Sequence, residues 1–133
     1  TQDLLLRPGQ IVFAPGLPFH LQVKAHGTRC TLIETAPVSG HRPSVDVLFH
    51  SIAAVKRKAV GVLLTGMGRD GATGLGAMRR AGAWTIAQDA ATSTVHGMPR
   101  VAIEEGAACE VLALPKITKA ILAAASMDED VGT

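Results

Sequence analysis

Aromatic side chains are scarce in this chain, with three Phe, one Trp and no Tyr among 133 residues. The formal charge is only +2, and the basic residues are scattered. A basic stripe interleaved with stacking rings is therefore lacking, and nucleic acid is not an expected partner. Long apolar runs are missing too. None approaches the roughly 18 to 20 residues of a membrane helix, and the polar start "TQD" is not followed by a signal-peptide core. Membrane insertion is not expected, and the reading is a cytoplasmic protein. Cysteine is limited to Cys30 and Cys109, far apart and each without a neighbouring cysteine. Neither a zinc knuckle nor a disulfide framework is indicated, no metal site is expected, and both residues read as buried free thiols.

What the chain has in plenty is Val, Ile, Leu and Ala, enough at this length for the core of one domain. Three short runs near the start, "QIVFAP", "FHLQVKA" and "TRCTLIET", read as strands separated by Pro and Gly, the latter two as a hairpin around Gly27. After "PVSGHRPS" the period changes. Val45, Leu48, Phe49 and Ile52 recur at helical spacing, with Ser44 as N-cap, Asp46 in the first turn and "KRK" at the C-terminal end. "AVGVLLTG" and "AWTIAQ" are continuous apolar runs of the kind buried in parallel sheets. "GATGLGAMRRAG" and "MPRVAIEEGA" read as helices, the second with Pro99 in its first turn and Gly106 as its stop. "CEVLAL" and "PKITKAILAAAS" repeat strand then helix. The alternation implies right-handed crossovers and an α/β fold: a parallel sheet between helices, a three-layer, Rossmann-like sandwich with a β-hairpin near its start. Residues 1–126 form the domain, and the acidic "MDEDVGT", residues 127–133, is expected to be a flexible tail.

The glycine-rich turn after "GVLLTG" admits two readings. Gly66, Gly68 and Gly71 spell G-x-G-x-x-G between a strand and a helix, and Asp89 lies 23 positions after the first of them. That spacing is a dinucleotide fingerprint, in which backbone donors and a helix N-terminus hold a pyrophosphate and an acid holds the ribose. Against it, Asp70 stands inside the turn, where a carboxylate repels phosphate oxygens. In the second reading the turn is a mount for Asp70 itself. A carboxylate at a helix N-terminus accepts backbone N–H groups and stays ionised, as the third member of a Ser-His-Asp set must. A plain capping aspartate has the same signature.

Several long segments, "HRPSVDVLFHS", "GVLLTGMGRDGATGL", "GAWTIAQDAATSTVHGMPRVAI" and the earlier "IVFAPG..FHL", resemble in order and spacing the catalytic domain of the chemotaxis protein-glutamate methylesterases. The resemblance covers nearly the whole chain. It implies a Ser-His-Asp hydrolase that removes methyl groups from glutamate methyl esters on the cytoplasmic helices of chemoreceptors, with glutamine deamidation as a related activity and no cofactor. It places the triad aspartate on Asp70. It matches Met67 to a methionine beside the opening of the active site and His20 to a histidine common in the family; Gly68, His41 and Met98, by their place near the Asp70 loop, are with His20 further candidates for its rim. A phosphorylatable receiver domain is a common companion of such a domain and a possible partner here.

The family's "GASTGG"-like nucleophile turn and "HMP"-like histidine segment have no counterpart in these residues. The expectation is a partial catalytic domain retaining the acid alone, inactive by itself and prone to self-association through an uncovered face. Two internal pairs, Ser93 with His96 and His41 with Ser44, are candidates for the same edge as Asp70 but are not assumed to replace the missing residues. A non-catalytic module that docks on receptors or on a partner domain is the alternative function, and dinucleotide binding the more distant one.

Overall fold

The computed structural model describes residues 3–55 and 58–131. The chain opens with a small antiparallel sheet of order β1-β3-β2, made of β1 (Leu4–Leu5), β2 (His20–Lys24) and β3 (Arg29–Ile33). The hairpin β2–β3 pairs His20 with Ile33 and Lys24 with Arg29, closing on the 3-10 turn Ala25–Gly27. β1 takes the other edge of β3, with Leu4 opposite Cys30. The strand expected at "QIVFAP" does not form. Residues 10–15 carry no regular structure, and Ile11 and Phe13 are 83% and 86% exposed. An apolar run becomes a strand only if an edge is free to pair with it, and here Leu4 and Leu5 already occupy that edge.

Helix α1 (Val45–Val55) follows, with Phe49 buried and Leu48 and Ile52 packed against the same core. Its Ser51 hydroxyl accepts the Val23 backbone N–H at 2.9 Å, so the helix covers the otherwise open edge of β2. Lys56 and Arg57 of the expected cationic helix end lie outside the described residues.

The second sheet is parallel, of order β4-β5-β6, built from β4 (Val60–Leu63), β5 (Trp84–Gln88) and β6 (Glu110–Leu112). The crossovers are α2 (Ala72–Arg80) and α3 (Met98–Glu104), and both pack on the same face because two successive right-handed connections run in one direction across the sheet. The core lies there: Phe49, Leu63, Ala72, Leu75, Met78, Ala102 and Ala107 form one buried cluster. α4 (Leu114–Val131) packs against β4 and β5. It runs as helix through Val131, so five residues of the stretch expected to be a flexible tail are helical. Cys30 is buried as expected. Cys109 is only half-buried, with its sulfur taken by the Thr85 hydroxyl at 3.3 Å.

Candidate active site

β4 ends at Leu63, and the chain turns at the carboxyl edge of the sheet, where parallel α/β folds place their chemistry. The turn is clamped to the loop between β5 and α3. Gln88, 1% exposed at the end of β5, accepts the Thr65 N–H at 2.8 Å and donates to the Thr92 carbonyl at 2.8 Å. Thr65 and Val95 exchange hydrogen bonds, and the Gly66 carbonyl accepts the N–H groups of both Gly97 and Met98. A polar residue closing an otherwise apolar strand is the signal that marked Gln88, and sequence reasoning passed over it.

Asp70 leaves this turn and points inward, 2% exposed. Its Oδ1 accepts the Ser44 hydroxyl at 2.8 Å and the Asp46 N–H at 3.1 Å, and its Oδ2 accepts the Val45 N–H at 2.7 Å. The expectation of a carboxylate held at a helix N-terminus is met by a different helix. Asp70 precedes α2 in sequence, yet it receives the first turn of α1, some 25 residues away. A carboxylate offers about four acceptor positions. Three are filled, and one on Oδ2 is left for a further donor.

The reverse exchange occurs alongside. Asp46, 4% exposed in the first turn of α1, accepts the Gly74 N–H of α2 at 2.7 Å. Each helix thus presents its positive end to a carboxylate carried by or next to the other, so two buried acids and two helix ends neutralise one another. Glycine is required at two points of this junction. A Cβ on Gly74 would stand 2.7 Å from Phe49 Cβ, and one on Gly71, at φ +96°, would stand 2.8 Å from Leu63 Cδ1.

His20 lies directly behind, fully buried at the start of β2. Its Nδ1 accepts the Ser44 N–H at 3.1 Å and its Nε2 lies 2.9 Å from the Ala36 carbonyl. A backbone N–H can only donate and a carbonyl only accept, so the ring is the neutral Nε2–H tautomer. His20, Ser44 and Asp70 therefore touch in sequence, but not as a catalytic triad. The serine hydroxyl gives its proton to the acid, and the histidine binds the serine's backbone. Ser44 also caps α1, accepting the Val47 N–H at 3.4 Å.

The other candidates lie apart from Asp70. Met67 is 77% exposed on the outer lip of the turn. With Gly68, Val95, His96 and Arg100 it lines an open groove of about 460 Å³. His41 is exposed, bridged through its backbone to Val38, with Nε2 alongside Gly68. Met98 is half-buried, packed on the core with its sulfur over Gly66. The internal pairs do not form. Ser93 gives its hydroxyl to the Asp89 carbonyl, His96 Nε2 lies 3.2 Å from the Gln88 carbonyl, and the Ser44 hydroxyl is committed to Asp70. The dinucleotide reading fails on the same geometry. A first-turn amide of α2 is spent on Asp46, and the Asp89 carboxylate is held by the Thr92 hydroxyl at 2.6 Å and N–H at 3.0 Å. Those two bonds hold the Asp89 carboxyl below its usual value.

A parallel sheet with helices packed on it, carrying a buried, hydrogen-bonded carboxylate beyond the carboxyl end of a strand, defines a Rossmann-like α/β domain. Comparison with known proteins gives the particular family. The chain belongs to the CheB methylesterase family, whose model matches residues 1–121. It is 56% identical over 128 residues to protein-glutamate methylesterase/protein-glutamine glutaminase 1 of Caulobacter vibrioides, covering 95% of this chain and 37% of that protein. The corresponding Escherichia coli protein is 51% identical over 119 residues, covering 87% of this chain and 34% of its own length. The crystal structure of the Thermotoga maritima CheB methylesterase catalytic domain superimposes with a TM-score of 0.84 at 37% identity, covering 91% of this chain and 65% of that one. The chain thus spans little more than a third of the curated relatives it matches.

Proposed function

We propose that this chain contributes the acid-bearing part of a protein-glutamate methylesterase, with Asp70 as the acid of its Ser-His-Asp triad. The supporting observation is the setting of Asp70: buried, fixed by three donors, and left with one acceptor position on Oδ2. The substrate is a glutamate methyl ester on a cytoplasmic chemoreceptor helix, with glutamine amides as a related class. Serine and histidine come from outside these residues, since the one serine hydroxyl on Asp70 is buried and has committed its proton. The serine attacks the ester carbonyl, histidine takes its proton and passes it to the leaving methoxide, and methanol departs. Water then opens the acyl-enzyme by the same route. Asp70 never touches substrate in this scheme. It receives the histidine N–H on Oδ2, fixes the tautomer and stabilises the imidazolium as it forms. No organic cofactor enters the scheme.

The test is Asp70→Asn in the full-length gene product, with methanol release from methylated receptor as the readout. The amide keeps the size of the side chain but removes the charge. The expected loss is about 10⁴-fold in kcat, by analogy with the same exchange in a serine protease. Turnover near the wild-type rate would falsify the assignment.

A further inference from the structure

Among the described residues, the hydroxyl of Ser44 is the one side-chain donor on Asp70; the other two donors are backbone amides. Its contacts do more than cap a helix. Oδ1 accepts both Ser44 Oγ and Asp46 N, which fills that oxygen, whereas Oδ2 accepts Val45 N alone. Ser44 thereby decides which oxygen stays free. The serine is itself held from behind, because His20 Nδ1 accepts its N–H and the buried ring is anchored in turn on the Ala36 carbonyl. Its hydroxyl oxygen accepts the long bond from Val47 N, and its proton goes to Asp70 Oδ1.

We infer that Ser44 is a positioning residue for the hydrolytic reaction: its hydroxyl locks the Asp70 carboxylate in the orientation that offers Oδ2 to the triad histidine. The inference rests on Asp70 being the triad acid. Without the hydroxyl, the carboxylate keeps one backbone donor on each oxygen but loses the shorter bond to Oδ1, so its orientation toward the histidine is held by two bonds instead of three. The hydroxyl touches neither substrate nor the reacting atoms, so its loss acts on kcat and leaves KM unchanged.

Helix capping and positioning separate experimentally. Glycine is nearly as good an N-cap as serine, so Ser44→Gly removes the hydroxyl at little cost to α1, and Ser44→Ala serves as a second variant without it. In the full-length gene product, kcat for methanol release, scaled to the folded fraction seen by circular dichroism, should fall about tenfold in Ser44→Gly. KM should hold within about twofold, and Ser44→Thr, which restores the hydroxyl, should recover most of the rate. In an Asp70→Asn background, Ser44→Gly should cost no more than about twofold further, because the charge it positions is gone. A wild-type kcat in both Ser44→Gly and Ser44→Ala, beside an Asp70→Asn variant that has collapsed, overturns the role of Ser44 and leaves the triad assignment standing. So does a Ser44→Gly loss that is equally large with Asn at position 70. An Asp70→Asn variant that turns over normally overturns the triad assignment, and the inference with it.

Discussion

Met67 and Asp70 stand three residues apart on one turn, yet one is 77% exposed and the other 2%. Around Asp70 every polar partner is fixed: three donors on its carboxylate, a reciprocal acid on the other helix, and a histidine behind with both nitrogens used. Around Met67 there is an open groove whose two arginines form surface ion pairs, Arg69 with Glu105 and Arg100 with Glu104. Such exposed pairs add little stability. The difference divides the labour of the turn. The buried half has one arrangement and suits a group that must not move, while the exposed half can be reshaped at little cost to the fold and suits contact with another protein.

Substitutions on the two halves sharpen this contrast. The larger effect on stability belongs to Gly74→Ala, whose new methyl meets Phe49 Cβ at 2.7 Å and Asp46 Oδ1 at 3.0 Å. It should destabilise by about 1–3 kcal/mol. Urea unfolding of the full-length gene product, followed through the fluorescence of Trp84, measures it. Met67→Ala should stay within about 0.5 kcal/mol of the parent in the same experiment. With methylated receptor as substrate it should raise KM several-fold and leave kcat nearly unchanged. Equal destabilisation by the two substitutions would erase the distinction between the halves.

The smallest effect concerns Asp89, at the margin of the same edge. The Thr92 hydroxyl and N–H stabilise its charged form, so its folded pKa lies below the ordinary 3.8. A depressed carboxyl adds stability above its unfolded value, and that contribution disappears as pH falls through the folded one. Thr92→Val removes the hydroxyl bond and should raise the Asp89 value back toward 3.8, as followed by carboxyl NMR during acid titration. A titration that does not move would assign the shift to something other than the Thr92 hydroxyl, the Thr92 N–H first among the remaining causes.

The alternating segments of the sheet and its crossovers were legible because each carries its own period. β4, β5, α2 and α3 lie within "AVGVLLTG", "AWTIAQ", "GATGLGAMRRAG" and "MPRVAIEEGA". The segment at residues 10–15 was not, since its pattern is that of a strand and the pairing of Leu4 and Leu5 with the edge of β3 decides against it. Asp70 could be singled out by the glycines around it. Its partners could not, because Ser44, Val45 and Asp46 stand 24 to 26 residues away and meet it only when α1 is laid across α2. Ser44 was recognised as a cap, and the same hydroxyl also donates to Asp70, a contact no local pattern encodes.

The exchange of carboxylates between α1 and α2 also bears on how the domain opens. The first amides of a helix have no partner within it, and in most helices the terminal turn is the first to come undone. Here the amides of Val45, Asp46 and Gly74 are bound by acids that belong to, or adjoin, the other helix. Neither start can unwind without stripping a buried carboxylate of its donors, so unwinding must begin from the opposite ends. In hydrogen exchange, the amides of Val45, Asp46 and Gly74 are expected to exchange with the slow, globally protected core.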